Sequence, residues 1–152
     1  MAGPDLIMTG GTSASPVTLE VGGVNNGNNA AAFMNNFALD SLTLANNAFV
    51  DLVDQYPNAT PSGWVSGIEA LYLDGLFGVL PGTGVTIPTL NLDGLYAYVE
   101  GRPGFLLNGL YIAPNGTEVN IIGQPAAPEP ATWALLGSGL VGLGLMRRRR
   151  RT

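Results

Sequence analysis

The stretch LYLDGLF at residues 71–77 recurs as LNLDGLY at residues 90–96 and as LLNGLY at residues 106–111. Each copy contains Asp-Gly or Asn-Gly, which favours tight turns because Gly and Asn adopt positive φ readily. The flanking Leu and aromatic residues favour strands. Spacings of 19 and 15 residues, counted from Asp74 to Asp93 to Asn108, suit a β-solenoid, in which each coil buries apolar side chains against the next. A β-sandwich predicts similar strands, so both architectures stay open.

The overall composition also favours a β-rich fold. Gly and Pro account for 22 and 11 of the 152 residues, and charged residues for only 11%. Average domains contain about a quarter charged residues and roughly an eighth Gly plus Pro. This composition is typical of short strands joined by tight turns rather than of helical bundles. We therefore predict a mostly β body over residues 39–123.

The charged residues exclude several classes of function. The chain contains no Cys or His, and its six basic residues are Arg102 and the run at 147–151. Without thiol, imidazole or lysine amine groups most enzyme mechanisms lack their reactive group, so we expect no enzymatic activity and no cofactor. Ahead of the Arg run, 11 acids face Arg102 alone, a net charge of −10. Such a body repels phosphate backbones, and we predict no nucleic-acid partner.

The C-terminal region has the pattern of a membrane anchor. Residues 131–146 carry no charge over sixteen positions. As an α-helix they would span about 24 Å, short of a ~30 Å hydrocarbon core, and basic side chains after them can snorkel to bridge the difference. We predict a transmembrane helix over 131–146 and a cytoplasmic tail over 147–152, with a buried core helix and an amphipathic surface helix as alternatives. The predicted stop-transfer residues are Arg147, Arg148, Arg149, Arg150 and Arg151.

A Pro-rich tether at residues 124–130 precedes this helix and contains the tripeptide Pro128-Glu129-Pro130. Proline is excluded from helix and sheet interiors, so we expect the tether to be extended and exposed. The order of Pro-Glu-Pro, short apolar helix and terminal Arg cluster resembles the PEP-CTERM sorting signal of bacterial proteins. The resemblance implies export, anchoring in the inner membrane through the C-terminal helix, and cleavage near Pro-Glu-Pro by the membrane enzyme exosortase.

The same resemblance implies roles for individual residues and a location for the protein. Pro128, Glu129 and Pro130 would be recognition residues, while the catalytic residues belong to exosortase. After processing, the protein would reside at the cell surface or in the extracellular matrix. Proteins with this signal normally begin with a signal peptide, and residues 1–6 (MAGPDL) have neither its basic nor its apolar region. We therefore expect an N-terminally truncated chain, in which the Asn- and Gly-rich residues 1–38 are a truncated first coil or a flexible polar segment.

Two sets of residues are candidates for a binding site in the body. Asp74 and Asp93 occupy equivalent places in the repeated pattern, and stacked coils could bring them together as a hard-cation site or as two carboxylates for glycoside hydrolysis. The alternative, which we favour, is that each caps its own turn. Tyr56, Trp64 and Tyr72 could form an aromatic platform for sugar rings, although aromatic residues in strands are more often core residues.

Three functions follow from these patterns. The leading one is a non-enzymatic, membrane-tethered protein of the cell surface or matrix that exosortase processes. A carbohydrate-binding or adhesion module on the same anchor, with extracellular polysaccharide as partner, is the alternative. A β-helical polysaccharide-degrading enzyme is disfavoured because Arg102 is the only base in the body.

Overall fold

The computed structural model describes residues 3–34, 36–56 and 69–125. Within these ranges the chain forms ten strands and one five-residue helix, which confirms the mostly β prediction. The helix α1 is Ala30–Met34. The strands are β1 (Asp5–Met8), β2 (Val17–Glu20), β3 (Gly23–Val24), β4 (Ala38–Leu44), β5 (Phe49–Val53), β6 (Glu69–Phe77), β7 (Thr89–Asn91), β8 (Tyr96–Val99), β9 (Gly109–Ile112) and β10 (Glu118–Ile122).

The strands form two sheets between which the chain alternates. In the first sheet β1, β4, β6 and β8 lie side by side and parallel, and short β3 pairs antiparallel with the start of β6. In the second sheet β2, β5, β7 and β10 are parallel neighbours, and β9 pairs antiparallel with the outer edge of β10. We call each passage through both sheets a coil. The four coils are β1 with β2, β4 with β5, β6 with β7, and β8 with β10.

The core lies between the two sheets and depends on the register of the coils. In the second sheet Val17, Val50, Leu90 and Ile121 are successive register partners. Val50 and Leu90 are fully buried, whereas Val17, on the first coil, is only partly buried. Each fully buried aliphatic side chain of this kind contributes about 1.5–3 kcal/mol to folding. Aliphatic residues at the same register position of successive coils thus pack directly against one another.

The repeated Leu-Asx-Gly-Leu-aromatic pattern does not occupy equivalent places in the coils. Asp93 and Gly94 form the predicted turn between β7 and β8, with φ angles of 47° and 81°. Asp74 and Gly75 lie inside β6, so the turn predicted there is wrong. Gly75 pairs with Ser41 of β4, and this ladder keeps the backbone extended against the local preference for a turn.

The Asn- and Gly-rich residues that sequence analysis separates from the body contribute β1, β2, β3 and α1 to it. In the described ranges, no helix has the length and apolar character needed to cross a membrane. The predicted transmembrane helix at 131–146, the Arg tail at 147–152 and the tripeptide Pro128-Glu129-Pro130 lie outside the described residues.

Candidate functional site

A row of stacked tyrosines occupies the outer face of the first sheet. Tyr72 of β6 and Tyr98 of β8 are register partners, and their ring centroids are 5.1 Å apart with planes 23° from parallel. Tyr96 continues the row, with its centroid 6.3 Å from that of Tyr98. Phe33 of α1 and Phe105 close the two ends with edge-to-face contacts of 5.1 and 5.0 Å. Such aromatic pairs contribute about 0.5–1.5 kcal/mol each beyond the burial of their surface.

Residues 24–34, part of the Asn- and Gly-rich region, form a covering segment that binds the hydroxyl groups of Tyr72 and Tyr98. The Tyr72 hydroxyl accepts a hydrogen bond from the Asn26 backbone N–H at 2.9 Å and lies 3.2 Å from the carbonyl oxygens of Val24 and Gly27. The Tyr98 hydroxyl donates to Asn25 Oδ1 at 2.8 Å. The buried hydroxyls therefore order a segment whose sequence alone carries little structural information.

Burial shifts the ionisation of these tyrosines. It raises the pKa of Tyr72, an effect that the backbone hydrogen bond from Asn26 reduces. Burial likewise raises the pKa of Tyr98, and the neighbouring Tyr72 and Tyr96 raise it further. Because a raised folded-state pKa favours the protonated phenol, this contribution to stability is present at neutral pH and is lost as pH rises through those pKa values.

The interpretation of Tyr72 as a ligand-facing aromatic residue is wrong. Its side chain is fully buried, because α1 and the segment before it cover the outer face of β6. Tyr56 is 66% exposed and remains available at the surface. Trp64 lies outside the described residues. Of the predicted aromatic platform, the described structure therefore leaves Tyr56 alone as a surface residue.

We expect Tyr72→Phe to destabilise the body, because the substitution removes the hydroxyl that accepts a hydrogen bond from the Asn26 N–H of the covering segment. Because Asn26 is exposed and this hydrogen bond is only partly buried, its loss should cost about 0.5–1.5 kcal/mol and lower the denaturation midpoint in urea accordingly. Tyr56→Phe is the matched control and should leave the midpoint unchanged, since Tyr56 is exposed. Equal midpoints for Tyr72→Phe and the wild-type protein would contradict this role of the hydroxyl.

Three carboxyl groups form a second row on the first sheet. Register places Asp40 of β4 on one side of Asp74 and Glu100, directly after β8, on the other. Burial raises the pKa of Asp74, and repulsion from Glu100 and Asp40 raises it further. Neighbouring strands are about 4.8 Å apart, so the three carboxyl groups form a line across the sheet and do not point to one common site. In the described part of the chain no three acidic side chains are grouped so that they could hold a metal ion.

The less favoured alternative, in which stacked coils bring Asp74 and Asp93 together, is wrong. Ala70 of β6 lies beside Tyr96 of β8, because the two are register partners. Asp74 is four residues after Ala70, so along the strand direction it lies about 13 Å past Tyr96. Asp93 lies in the turn on the opposite side of Tyr96. The two candidate carboxylates therefore do not share a site, and Asp74 has Asp40 and Glu100 as its acidic neighbours instead.

We predict that Asp74→Asn raises the melting temperature at pH 7, because it removes the central charge of the acidic row. Like charges on neighbouring strands cost roughly 0.2–1 kcal/mol, and the exposure of Asp74 places the gain toward the lower end. A raised folded-state pKa means that protonation stabilises the fold, so acidification should bring the wild-type protein closer to the variant. Asp93→Asn, in a turn that Asn also tolerates, is the control for thermal melts at both pH values. A lower melting temperature for Asp74→Asn at pH 7 would contradict the prediction.

A hollow of about 310 Å³, which no sequence pattern predicted, lies between the loop after β8 and strand β9. The Arg102 guanidinium lies 4.4 Å from the centroid of the Tyr111 ring and donates a hydrogen bond to the Ile112 carbonyl. Phe105, Leu107 and other apolar residues form much of the remaining wall. The signal in the sequence was Arg102 itself, the only base ahead of residue 147.

The described body ends beside this hollow, at Pro125. The Gln124 backbone N–H donates to Asn108 Oδ1 at 2.9 Å, and the Asn108 backbone N–H donates to Gln124 Oε1 at 3.3 Å. This reciprocal pair fastens the chain to the start of β9, and Pro125 is buried. Gln124 and Pro125, which the sequence places in the exposed tether, therefore belong to the body, and residues 126–130 lie outside the described residues.

The described residues thus form a β-rich body of stacked coils that precedes the C-terminal region. The family model of the PEP-CTERM protein-sorting motif matches residues 126–151. The chain therefore carries a PEP-CTERM sorting signal, as the resemblance predicted, and such a signal implies a sorted protein that exosortase processes. It also suggests export to the cell envelope or surface. Comparison with curated proteins and with solved structures gives no match.

Proposed function

We propose that the protein is a non-enzymatic component of the cell surface or extracellular matrix whose tail serves export and anchoring. The observation that carries the proposal is the sorting motif at residues 126–151, which begins directly after the fastened end of the β body. In this proposal residues 131–146 hold the protein in the inner membrane, and the arginines at 147–151 stop its transfer. Exosortase then recognises Pro128, Glu129 and Pro130.

The architecture of the body supports a structural role in this proposal. We infer that the four coils are a short β-solenoid, since neighbouring coils pair in parallel in both sheets whereas a β-sandwich is built from antiparallel strands. Asp74 and Glu100 are exposed, and the row that they form with Asp40 runs across neighbouring strands rather than into an enclosed site, which supports a structural surface.

A carbohydrate-binding or adhesion module is the second candidate, and the hollow beside Arg102 favours it. The guanidinium, stacked on Tyr111 above apolar walls, combines a cation with an aromatic face. An uncharged polysaccharide could place a sugar ring against the apolar wall and accept hydrogen bonds from the Arg102 guanidinium through its hydroxyl oxygens. Tyr56, exposed elsewhere on the surface, is the remaining member of the aromatic platform that the sequence predicted.

We predict that Glu129→Ala blocks processing of the tail in a bacterial host that carries the cognate exosortase. Cleavage at Pro-Glu-Pro should remove roughly the last 22 residues of the wild-type protein, those after Pro130, and mass spectrometry of the mature protein measures this loss. Glu100→Ala, which removes one exposed carboxylate from the body and leaves the motif unchanged, is the matched control and should be processed normally. Equal processing of Glu129→Ala and the wild-type protein would refute recognition through this tripeptide.

A further inference from the structure

Strand β9 leaves the outer edge of the second sheet open. It is the last strand of that sheet and pairs only with β10, although residues on both sides of it are described. The Ala113 N–H donates to the Thr117 carbonyl at 2.8 Å, which fixes how the backbone groups alternate along the ladder. The N–H and C=O groups of Tyr111 therefore face β10, whereas those of Leu110 and Ile112 face away from it. Within the described ranges no hydrogen bond reaches the Leu110 N–H or C=O or the Ile112 N–H, so this edge can accept a further strand.

Exposed aliphatic side chains flank this edge. Leu110 and Ile112 are 53% and 50% exposed, and Leu107, in the loop before β9, is 61% exposed. Natural edge strands are usually protected by charged side chains or by proline, and β9 (GLYI) contains neither. The edge thus offers unpaired backbone groups together with apolar surface, the combination that strand-addition sites use.

The 310 Å³ hollow lies along the same edge, and we call the hollow and the open edge together the β9 groove. Residues 102–108 of the preceding loop form the opposite wall, and the Arg102 guanidinium reaches across to donate to the Ile112 carbonyl. The remaining wall includes Val99 and Ile121, which belong to the hydrophobic core. Ligand pockets start at about 300 Å³, so the hollow has the size of a small binding site. An extended chain in this groove pairs with β9 and buries an aliphatic side chain against the core.

The charge at one end of the β9 groove indicates the chemistry of its occupant. A second hollow, of about 170 Å³, adjoins the first at Arg102 and Tyr111. It is lined by Pro114, two residues after β9, and by Asp74 and Glu100. Two carboxylates against one guanidinium leave this end negative, and the chain ahead of residue 147 has a net charge of −10. A docking segment that carries a base is therefore attracted, and an acidic segment is repelled.

We propose that the β9 groove is a docking site for an extended segment of another protein that carries alternating aliphatic residues and a base. One residue of the segment exchanges two hydrogen bonds with the N–H and C=O of Leu110, and a neighbour accepts one from the Ile112 N–H. An aliphatic side chain of the segment then fills the hollow, and the base lies against Glu100. The unpaired backbone groups match another polypeptide strand better than a sugar chain, which favours a protein partner over the carbohydrate candidate. Docking involves none of the residues of the sorting motif, so it does not depend on processing of the tail.

Fluorescence anisotropy of a labelled peptide, titrated with the full chain in non-ionic detergent, tests this proposal. The probe is acetyl-Lys-Thr-Val-Thr-Val-Thr-Lys-amide, whose valines share one face and whose two lysines allow either strand direction. The wild-type protein should bind this peptide, and binding should weaken as the salt concentration rises. The same peptide N-methylated at its central five residues keeps both charges but lacks the donors for strand pairing. It should therefore bind at least about tenfold more weakly.

Variants of the groove locate the binding site. Glu100→Gln removes a charge at the negative end and should weaken peptide binding about two- to fivefold, as expected for an exposed ion pair. Leu107→Ser removes apolar surface from the hollow and should weaken peptide binding roughly threefold or more. Glu20→Gln and Ile7→Ser, equivalent changes on the first coil, are the matched controls and should bind like the wild type. Circular dichroism checks that all four variants are folded.

Three peptide results would overturn the proposal: no binding of the probe by the wild-type protein, equal binding of the N-methylated peptide, or unchanged binding in both Glu100→Gln and Leu107→Ser. Binding of cellohexaose without binding of the peptide would overturn it in favour of a sugar chain. Self-association that excludes the peptide and that Leu107→Ser abolishes would overturn it in favour of a second copy of this chain.

Discussion

Each coil buries its aliphatic side chains by placing them against those of the next coil, because the two sheets enclose a narrow core. The row of Val17, Val50, Leu90 and Ile121 shows this constraint most simply. A shift of one residue in any coil would turn its buried face outward, since side chains alternate along a strand. The register between coils therefore determines both the core and the order of residues on the outer surfaces.

The outer rows follow from the same register and differ in their energetic effect. Tyr72 and Tyr98 stack because they are register partners, and their buried hydroxyls hold the covering Asn-rich segment. Asp74 meets Asp40 and Glu100 for the same geometric reason, at a cost that solvent reduces. A row that stabilises the body and a row that destabilises it thus arise from one arrangement. Neither row needs a ligand to account for it, which is consistent with a structural role.

The sequence predicted the features that depend on local chemistry. The mostly β class, the turn at Asp93-Gly94 and the PEP-CTERM motif each follow from composition or from a short contiguous pattern. The turn at Asp74-Gly75 was wrong because pairing with β4 outweighs the preference of the dipeptide.

Contacts between coils could not be predicted from the repeated pattern, because the number of residues between its copies differs from the number between residues that are neighbours on adjacent strands. Copies of the pattern lie 19 and 15 residues apart, whereas Asp74 lies 34 residues after Asp40 and 26 before Glu100, its neighbours in space. Coils of unequal length, with β3, α1 and β9 inserted between strands, conceal the register. The burial of Tyr72 and the hollow beside Arg102 depend on those insertions and were missed for that reason.

Paired cysteines test the register of the coils most directly, since the chain contains no Cys of its own. Asp51 and Asn91 are register partners, and the Asn91 amide donates to Asp51 Oδ1 at 3.0 Å. Cysteines at these positions should form an intramolecular disulfide readily on mild oxidation, because neighbouring strands are about 4.8 Å apart and disulfides bridge Cα separations of about 4.4–6.8 Å. Cysteines at Asp51 and Thr89, offset by two residues to about 8 Å, should react much more slowly. Faster bridging of the offset pair than of the register pair would contradict the stacked-coil account.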